Sequence, residues 1–295
     1  MEKIKIMVDT PSDIELEEAQ RLNIELIPVT ISYQGKSYRE TYDISKEDFF
    51  SVLNECEELP TTAQITPPQF LAVYEKAWEE GYTHIILTTI NAAGSGTFNS
   101  AHLAVSLFEE AHGKDKIIFE IIDSHTYTFC YGRPVMLAAE MAQQGKSFSE
   151  IVAFLKDRLT HSHCYAYIST LKFARKSGRI SVTAAIVGEA LGLKPIMAAG
   201  NGSVDVYNKC RGEKSAIAKL IENVKAEAVD LENQEIVLLL GDVPENVIER
   251  LRREVTEKLN PAAVFEGRLG CAICNNAGPQ TVGIVFSGKD YKLYE

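Results

Sequence analysis

The chain has 295 residues, 45% hydrophobic and 24% charged, enough for one large or two ordinary domains with real cores. Lys+Arg 30 against Asp+Glu 41 gives a formal net charge of −11, a surface that repels nucleic acid and anionic membrane and sets both aside as primary partners. No run reaches the ~18 apolar residues of a spanning helix. The opening "MEKIKIMVDT" passes straight into a strand without an h-region or cleavage site, so the expected setting is the cytoplasm, with no integral membrane segment.

In chain order, "IKIMVDT" (4–10) reads as a strand ending at Asp9, "ELEEAQRLN" (15–23) as a helix and "IELIPVTISY" (24–33) as a second extended run. A helix capped by Ser45 covers 45–55, and another opens on Pro67-Pro68 and closes at Gly81. "HIILTT" (84–89) is a buried strand, followed by a loop and a helix to about Glu110; "KIIFEIID" (116–123) is a strand ending at Asp123. Helices over 131–145 and 147–159 complete this half. Repeated strand–helix units with apolar strands predict a mostly parallel sheet with helices on both faces.

The second half changes grammar. "HCYAYIS" (163–169) is a strand, and 170–192 reads as short helices broken at Ser177-Gly178. Two strands within 193–209 meet at Gly200-Asn201-Gly202, a strong hairpin signal. A long helix (214–229), a strand (235–242), a helix (245–259) and two closing strands, "AVFEGRLGCAI" and "TVGIVFSG", follow. The expectation is an α/β protein of two domains, 1–160 with the parallel sheet and 161–295 α+β with a mixed or antiparallel sheet, and a ligand in the cleft between them.

Six cysteines at 56, 130, 164, 210, 271 and 274 are too dispersed for a disulfide scaffold. Only "CAIC" (Cys271, Cys274) has a meaningful spacing, and zinc would need two further ligands, which "HSHC" (His161, His163, Cys164) could supply. His161 and His163 should share one face of a strand that Cys164 leaves. Ordinary buried thiols in strands are the plainer expectation, and no metal or cofactor is assigned.

The stretch "TTINAAGSGTFNSAH" (88–102) lies where a strand hands over to a helix, a place suited to an anion because the first helical N–H groups are unpaired. It has no GxxxxGK[ST], and the third position of a GxGxxG would be Asn99. A nucleophile elbow needs G-x-S-x-G, whereas Gly94 and Gly96 flank Ser95 directly, and His102 and His125 are the nearby bases. A plain turn capped by Ser95 or Thr97 and a carboxylate cradle both fit the residues. Asp9, Asp123 and this loop share one sheet edge. The two aspartates could form a carboxylate pair for acid–base work, but the stronger expectation is that they anchor loops through backbone N–H groups.

Seven segments in register resemble the DegV family: "VDTPSDI" (8–14), "LPTTAQITPPQF" (59–70), "GSGTFNSA" (94–101), "IIDSHTYTFCYG" (121–132), "TLKFARKSGRIS" (170–181), "LGLKPIMAAGNGSV" (191–204) and "AGPQTVGIVF" (277–286). The resemblance covers essentially the whole chain. It implies a non-catalytic protein that holds a long-chain fatty acid between two domains and presents the carboxylate to a separate, ATP-using fatty acid kinase. By the same resemblance Thr61-Thr62 and Gly94-Ser95-Gly96-Thr97 meet the head group, with Gly278 in the C-terminal motif, while Arg179 and Arg211 face the kinase. Asn91-Ala92 replaces the family's Ser-Ser pair, Asn276 its histidine and Ser177 the first glycine of its Gly-Gly-Arg. Asn91 and Asn276 can donate hydrogen bonds but carry no charge, which weakens a charge-assisted grip to a neutral one. Two other readings stand beside this one: a binding protein for a different small carboxylate or amphiphile, and an esterase-like hydrolase using Ser95. The apolar faces of "AAIVGEALGL" (184–193) and "FLAVYEKAW" (70–78) serve equally well as tunnel lining or as core.

Overall fold

The computed structural model describes residues 2–180 and 192–294. The first half runs β1 (Ile4–Asp9), α1 (Leu16–Arg21), β2 (Ile24–Ile27), β3 (Thr30–Tyr33), β4 (Lys36–Arg39), α2 (Lys46–Glu55), β5 (Thr61–Ala63), α3 (Pro67–Glu79), β6 (His84–Thr89), α4 (Thr97–His112), β7 (Ile118–Asp123), α5 (Phe129–Gln143) and α6 (Phe148–Thr160). The second continues β8 (Ser162–Tyr167), α7 (Lys172–Ser177), β9 (Leu193–Gly200), β10 (Ser203–Arg211), α8 (Glu213–Glu227), β11 (Glu235–Leu240), α9 (Glu245–Leu259), β12 (Ala263–Arg268), α10 (Cys271–Ala277) and β13 (Val282–Ser287).

The first sheet is wholly parallel in the order β2-β1-β6-β7. Its strands bury both faces, as their near-continuous apolar sequences require. In β1, Ile6 and Val8 pack with α5 and α6, while Met7 on the other face packs with Phe70, Tyr74, Ala104 and Phe108 of α3 and α4. The second sheet is mixed, β10-β9-β8-β13-β11-β12, with only β11 and β12 parallel. One face, with Tyr165, Ile196, Leu238 and Ile284, is covered by α8 and α9. The opposite face, with Cys164, Val237, Leu239 and Val285, joins the core around α5. Helix α5 therefore packs between the two sheets.

Three elements differ from expectation. The extended run 24–33 divides at Pro28, which has no N–H for a ladder. β2 stays in the parallel sheet, and β3 joins a small antiparallel sheet ordered β4-β3-β5. The strand through 263–273 stops at Arg268, and "CAIC" lies in α10, not in a strand. A short apolar run does not distinguish the two by periodicity. Here Gly270 breaks the strand, and Glu40 accepts the backbone N–H of Ala272 at 2.6 Å, which holds the helix start. His161 caps α6 and stands outside the strand, whereas His163 is buried in β8. The helix expected across 181–191 and most of the apolar face 184–193 lie outside the described residues.

The hairpin expected at Gly200-Asn201-Gly202 joins β9 and β10 through a two-residue turn, Asn201 with φ 50° and Gly202 with φ 76°. Both central residues are left-handed, the geometry that Asn-Gly adopts at least cost and that matches strand twist. Its tip docks on the first half: Gly202 N–H donates to the His125 carbonyl at 2.8 Å.

Candidate ligand-binding cavity

The carboxyl ends of the parallel strands bring Asp9, the 90–97 loop and Asp123 to one edge, the usual ligand side of such a sheet. Asp9 accepts the backbone N–H of Ile90 at 2.9 Å and the Tyr131 hydroxyl at 2.7 Å. Asp123 Oδ1 accepts the N–H groups of Ala92 at 3.0 Å and His125 at 2.9 Å, and its other oxygen pairs with His125 Nδ1 at 3.3 Å. Both aspartates thus anchor loops, as expected of Asp at strand ends.

Asn91 is 1% exposed and acts as a clamp. Its amide donates to Tyr127 Oη at 2.8 Å and to the Gly202 carbonyl at 2.8 Å, and its Oδ1 accepts Ala93 N–H at 3.1 Å. The loop is therefore tied to the hairpin of the second sheet. Ser95 Oγ pairs with Thr97 Oγ1 at 2.9 Å and accepts Thr97 N–H at 3.3 Å, a local turn just before α4, whose N-cap position is Gly96 without a side-chain cap. The amide end of the Gln64 side chain lies over Gly96, where a Cβ would make it move aside. Gln64 itself donates to Ser100 Oγ at 3.0 Å.

Between this loop, α10 and the inner face of the second sheet lies a cavity of about 720 Å³. Its apolar wall includes Ile90, Cys164, Ala166, Met197, Leu239 and Leu269. Polar groups enter it from Thr62, Gln64, Ser95, Tyr127, Arg179 and Asn276. Several of these converge on Gly94–Gly96: Gln64 crosses Gly96, Tyr127 Oη lies 2.8 Å from where a Gly94 Cβ would be, and Arg179 Nε donates to the Gly94 carbonyl at 3.5 Å. Arg179 is exposed and also donates to the Ser177 carbonyl at 2.6 Å. Burial and the neighbouring Asp123 push the Tyr127 hydroxyl up, with desolvation the larger cause, so it acts as a neutral hydrogen-bonding group.

Of the residues singled out in the sequence, Thr62, Ala92, Ser95, Gly96, Asn276 and Arg179 line this cavity. Thr61 does not: it is exposed at the start of β5, while Thr62 is half-buried. Asn91 and Thr97 are buried behind the wall, occupied by the bonds above. Gly278 ends α10 against Phe173, and Arg211 is exposed at the far end of β10. Asn276 Nδ2 donates to the Ala272 carbonyl at 2.6 Å. No histidine among the described residues lines the cavity; His125 is held by Asp123 and His102 meets Phe98 edge to face.

Gln64 and Tyr127 were not anticipated, though Gln64 lies just after Thr62 in the same lining segment, and that proximity was the available signal. Cys164 was expected to be an ordinary buried thiol and contributes to the cavity wall. Cys271 and Cys274 are buried, their thiols pushed well up, chiefly by desolvation.

A parallel α/β sheet and a mixed sheet, joined through a shared helix and enclosing an apolar cavity with a polar rim, define a two-sheet α/β architecture. The chain belongs to the DegV family: the family model described as "Uncharacterised protein, DegV family" matches residues 3–289. A DegV domain-containing protein of Caldanaerobacter subterraneus subsp. tengcongensis is 32% identical over 289 residues, covering 98% of this chain and all of that one. A DegV family protein from Thermus thermophilus, solved under the heading of fatty acid binding, superimposes with a TM-score of 0.85 at 28% identity, over 97% of this chain and 99% of its own. A DegV lipid binding protein from Thermotoga maritima gives 0.84 at 25% identity, over 98% of this chain and 100% of its own.

Proposed function

We propose that this protein binds a long-chain fatty acid in the cavity, with the carboxylate at the Gly94–Gly96 rim, and presents it to a separate fatty acid kinase that forms the acyl phosphate. The observation that carries this reading is the pairing of an apolar enclosure of about 720 Å³ with a polar rim holding Thr62, Ser95, Arg179 and Asn276. That volume lies in the range of roughly 300–1,000 Å³ typical of small-molecule sites. Each methylene buried in such a wall contributes about 0.8 kcal/mol, offset by immobilising the chain, so affinity should rise steeply with chain length. The fatty-acid-binding relative from Thermus thermophilus supports the ligand class.

The replacement of the family's serine by Asn91 does not put a new donor at the carboxylate on this reading, because its amide is already engaged by Tyr127 and Gly202. The head group falls to Thr62, the Ser95-Gly96 segment and Asn276, with Arg179 supplying the nearby cation. The exposed Arg179 and Arg211 are the cations offered to the kinase.

Titration calorimetry with oleate and octanoate tests the binding step. Oleate should bind one to one and at least a hundredfold more tightly than octanoate; equal affinities would refute an acyl-chain site. Adding ATP and a bacterial fatty acid kinase, with hydroxylamine to trap acyl phosphate, tests presentation. Hydroxamate that forms only when the loaded protein is present is the expected result, and none formed from a protein that binds oleate would leave a carrier without that partner.

A further inference from the structure

Behind the cavity wall lies a cluster of buried ionisable groups that the binding of an acyl chain does not use. Asp9, Asp13 and Glu40 are each at most 2% exposed, and Lys46 is 9% exposed. Each carboxylate holds a different wall segment. Asp9 accepts the N–H of Ile90, at the start of the 90–97 loop, at 2.9 Å. Glu40 accepts the N–H of Ala272 in α10 at 2.6 Å and the Thr10 hydroxyl at 2.6 Å, and Thr10 Oγ1 accepts the N–H of Val29 at 3.1 Å. Asp13 accepts the Thr128 hydroxyl at 2.6 Å. Ile90, Ala272, Val29 and Thr128 all line the cavity.

Of the three carboxylates only Asp13 and Glu40 lie near an ammonium, that of Lys46, and it is turned elsewhere. Lys46 Nζ donates to the carbonyls of Asp13 at 3.1 Å and Arg268 at 2.8 Å, and its side-chain partner is the more exposed Glu15, at 2.6 Å. Asp13 Oδ1 and Glu40 Oε1 crowd together at Gly270, 2.5 and 3.1 Å from where its Cβ would be. Asp9 is faced by Tyr131 of α5, whose hydroxyl donates to it at 2.7 Å, and by the charge of Glu40. Asp13 and Glu40 are faced by Lys46 and by each other, with the thiols of Cys271 and Cys274 on α10 nearby. An excess of buried carboxylates over cations favours retained protons. Burial pushes Asp9 up to about 7, and desolvation raises Asp13 and Glu40 as well.

We propose that Asp9, Asp13 and Glu40 are positioning residues that brace three segments of the cavity wall, and that proton uptake by this brace near neutral pH loosens the 90–97 loop and speeds ligand release. The effect on the ligand rests on the fatty-acid reading; the brace itself does not. Ionised Asp9 grips Ile90 N–H through a charge-assisted bond. On protonation that bond becomes a neutral one of about half the strength, and the acid O–H meets a site furnished with donors.

Amide hydrogen exchange on the ligand-free protein at pH 6 and pH 8, corrected for intrinsic rates, reads the brace directly. Protection across 90–97 should be several-fold lower at pH 6. Asp9→Asn, which mimics the neutral acid, should show low protection at both values. Tyr131→Phe, which removes a donor to the ionised form, should move the transition to higher pH, and it serves if Asp9→Asn does not fold. The oleate dissociation rate should rise several-fold from pH 8 to pH 6 in the wild type, and less in Asp9→Asn, which lacks the Asp9 step. Wild-type protection that is the same at both pH values, or an Asp9→Asn profile that parallels the wild type, overturns the proposal. Intact pH-dependent protection in a protein that binds no oleate sustains the brace and sinks the fatty-acid reading instead.

Discussion

Asp9 sits at the end of β1 with no exposed surface, held by Ile90 and Tyr131, and burial raises it from 3.8 to about 7. A carboxyl with a raised folded value binds its proton more tightly in the folded state than in the unfolded one. Its penalty on stability is therefore absent below about pH 3.8, grows as pH rises and is complete above about 7. That interval corresponds to about 4 kcal/mol. Urea denaturation of the wild type and Asp9→Asn at pH 4.5, 6 and 8 should show the variant gaining on the wild type as pH rises, and a constant difference would contradict the shift. Ionisation thus tightens a local bond while costing global stability. Asn91 acts in the opposite direction. Asn91→Ala leaves Tyr127 and the Gly202 carbonyl without their donor and should cost about 1–3 kcal/mol, measured by the same method.

At the scale of elements, the inner face of the second sheet sets the depth of the cavity. Ala166 of β8 pairs across to Met197 on one side and to Gly283 on the other, so two small residues stand side by side beneath the ligand space. Ala166→Phe should fill that space and reduce oleate affinity at least tenfold while leaving the thermal midpoint within a few degrees of the wild type. Unchanged affinity would place the acyl chain elsewhere. The hairpin is as specific: Gly202→Val forces a β-branched residue to φ 76° and should cost about 1–2 kcal/mol, seen as a lower thermal midpoint.

The elements also show what the sequence could convey. The parallel strands and their helices were legible because each strand is a short apolar run bounded by turn residues, and because the hairpin carried Asn-Gly. The helix at "CAIC" was not legible, because its cause is a carboxylate from Glu40, more than two hundred residues away in the chain. The same reasoning separates the site residues. Thr62 and Gln64 belong to one short local segment, 62–64, that lines the cavity, whereas the engagement of Asn91 depends on a hairpin that arrives from the second half.

At the scale of the whole molecule, α5 unites the two halves. Its Val135 and Met136 share one apolar cluster with Ile6 and Val8 of the first sheet and with Val237 and Val285 of the second. Arg133 on the same helix pairs with Glu235 of β11, Nε to Oε2 at 2.6 Å and Nη2 to Oε1 at 3.0 Å, and its guanidinium lies 4.8 Å from the Phe265 ring centre. A shared core predicts a single unfolding transition, and Glu235→Gln should lower stability by about 1–3 kcal/mol without splitting it. Among the described residues no helix is long and apolar enough to cross a membrane, and the apolar-walled cavity lies against the inner face of the second sheet.

The most direct measurement is mass spectrometry of the purified protein, under native conditions and again after solvent extraction. A stoichiometric mass excess that disappears on extraction and matches a long-chain fatty acid is the predicted result, and it would name the chain. An empty protein that stays empty when incubated with oleate, or one carrying a ligand with no acyl chain, would contradict the fatty-acid reading.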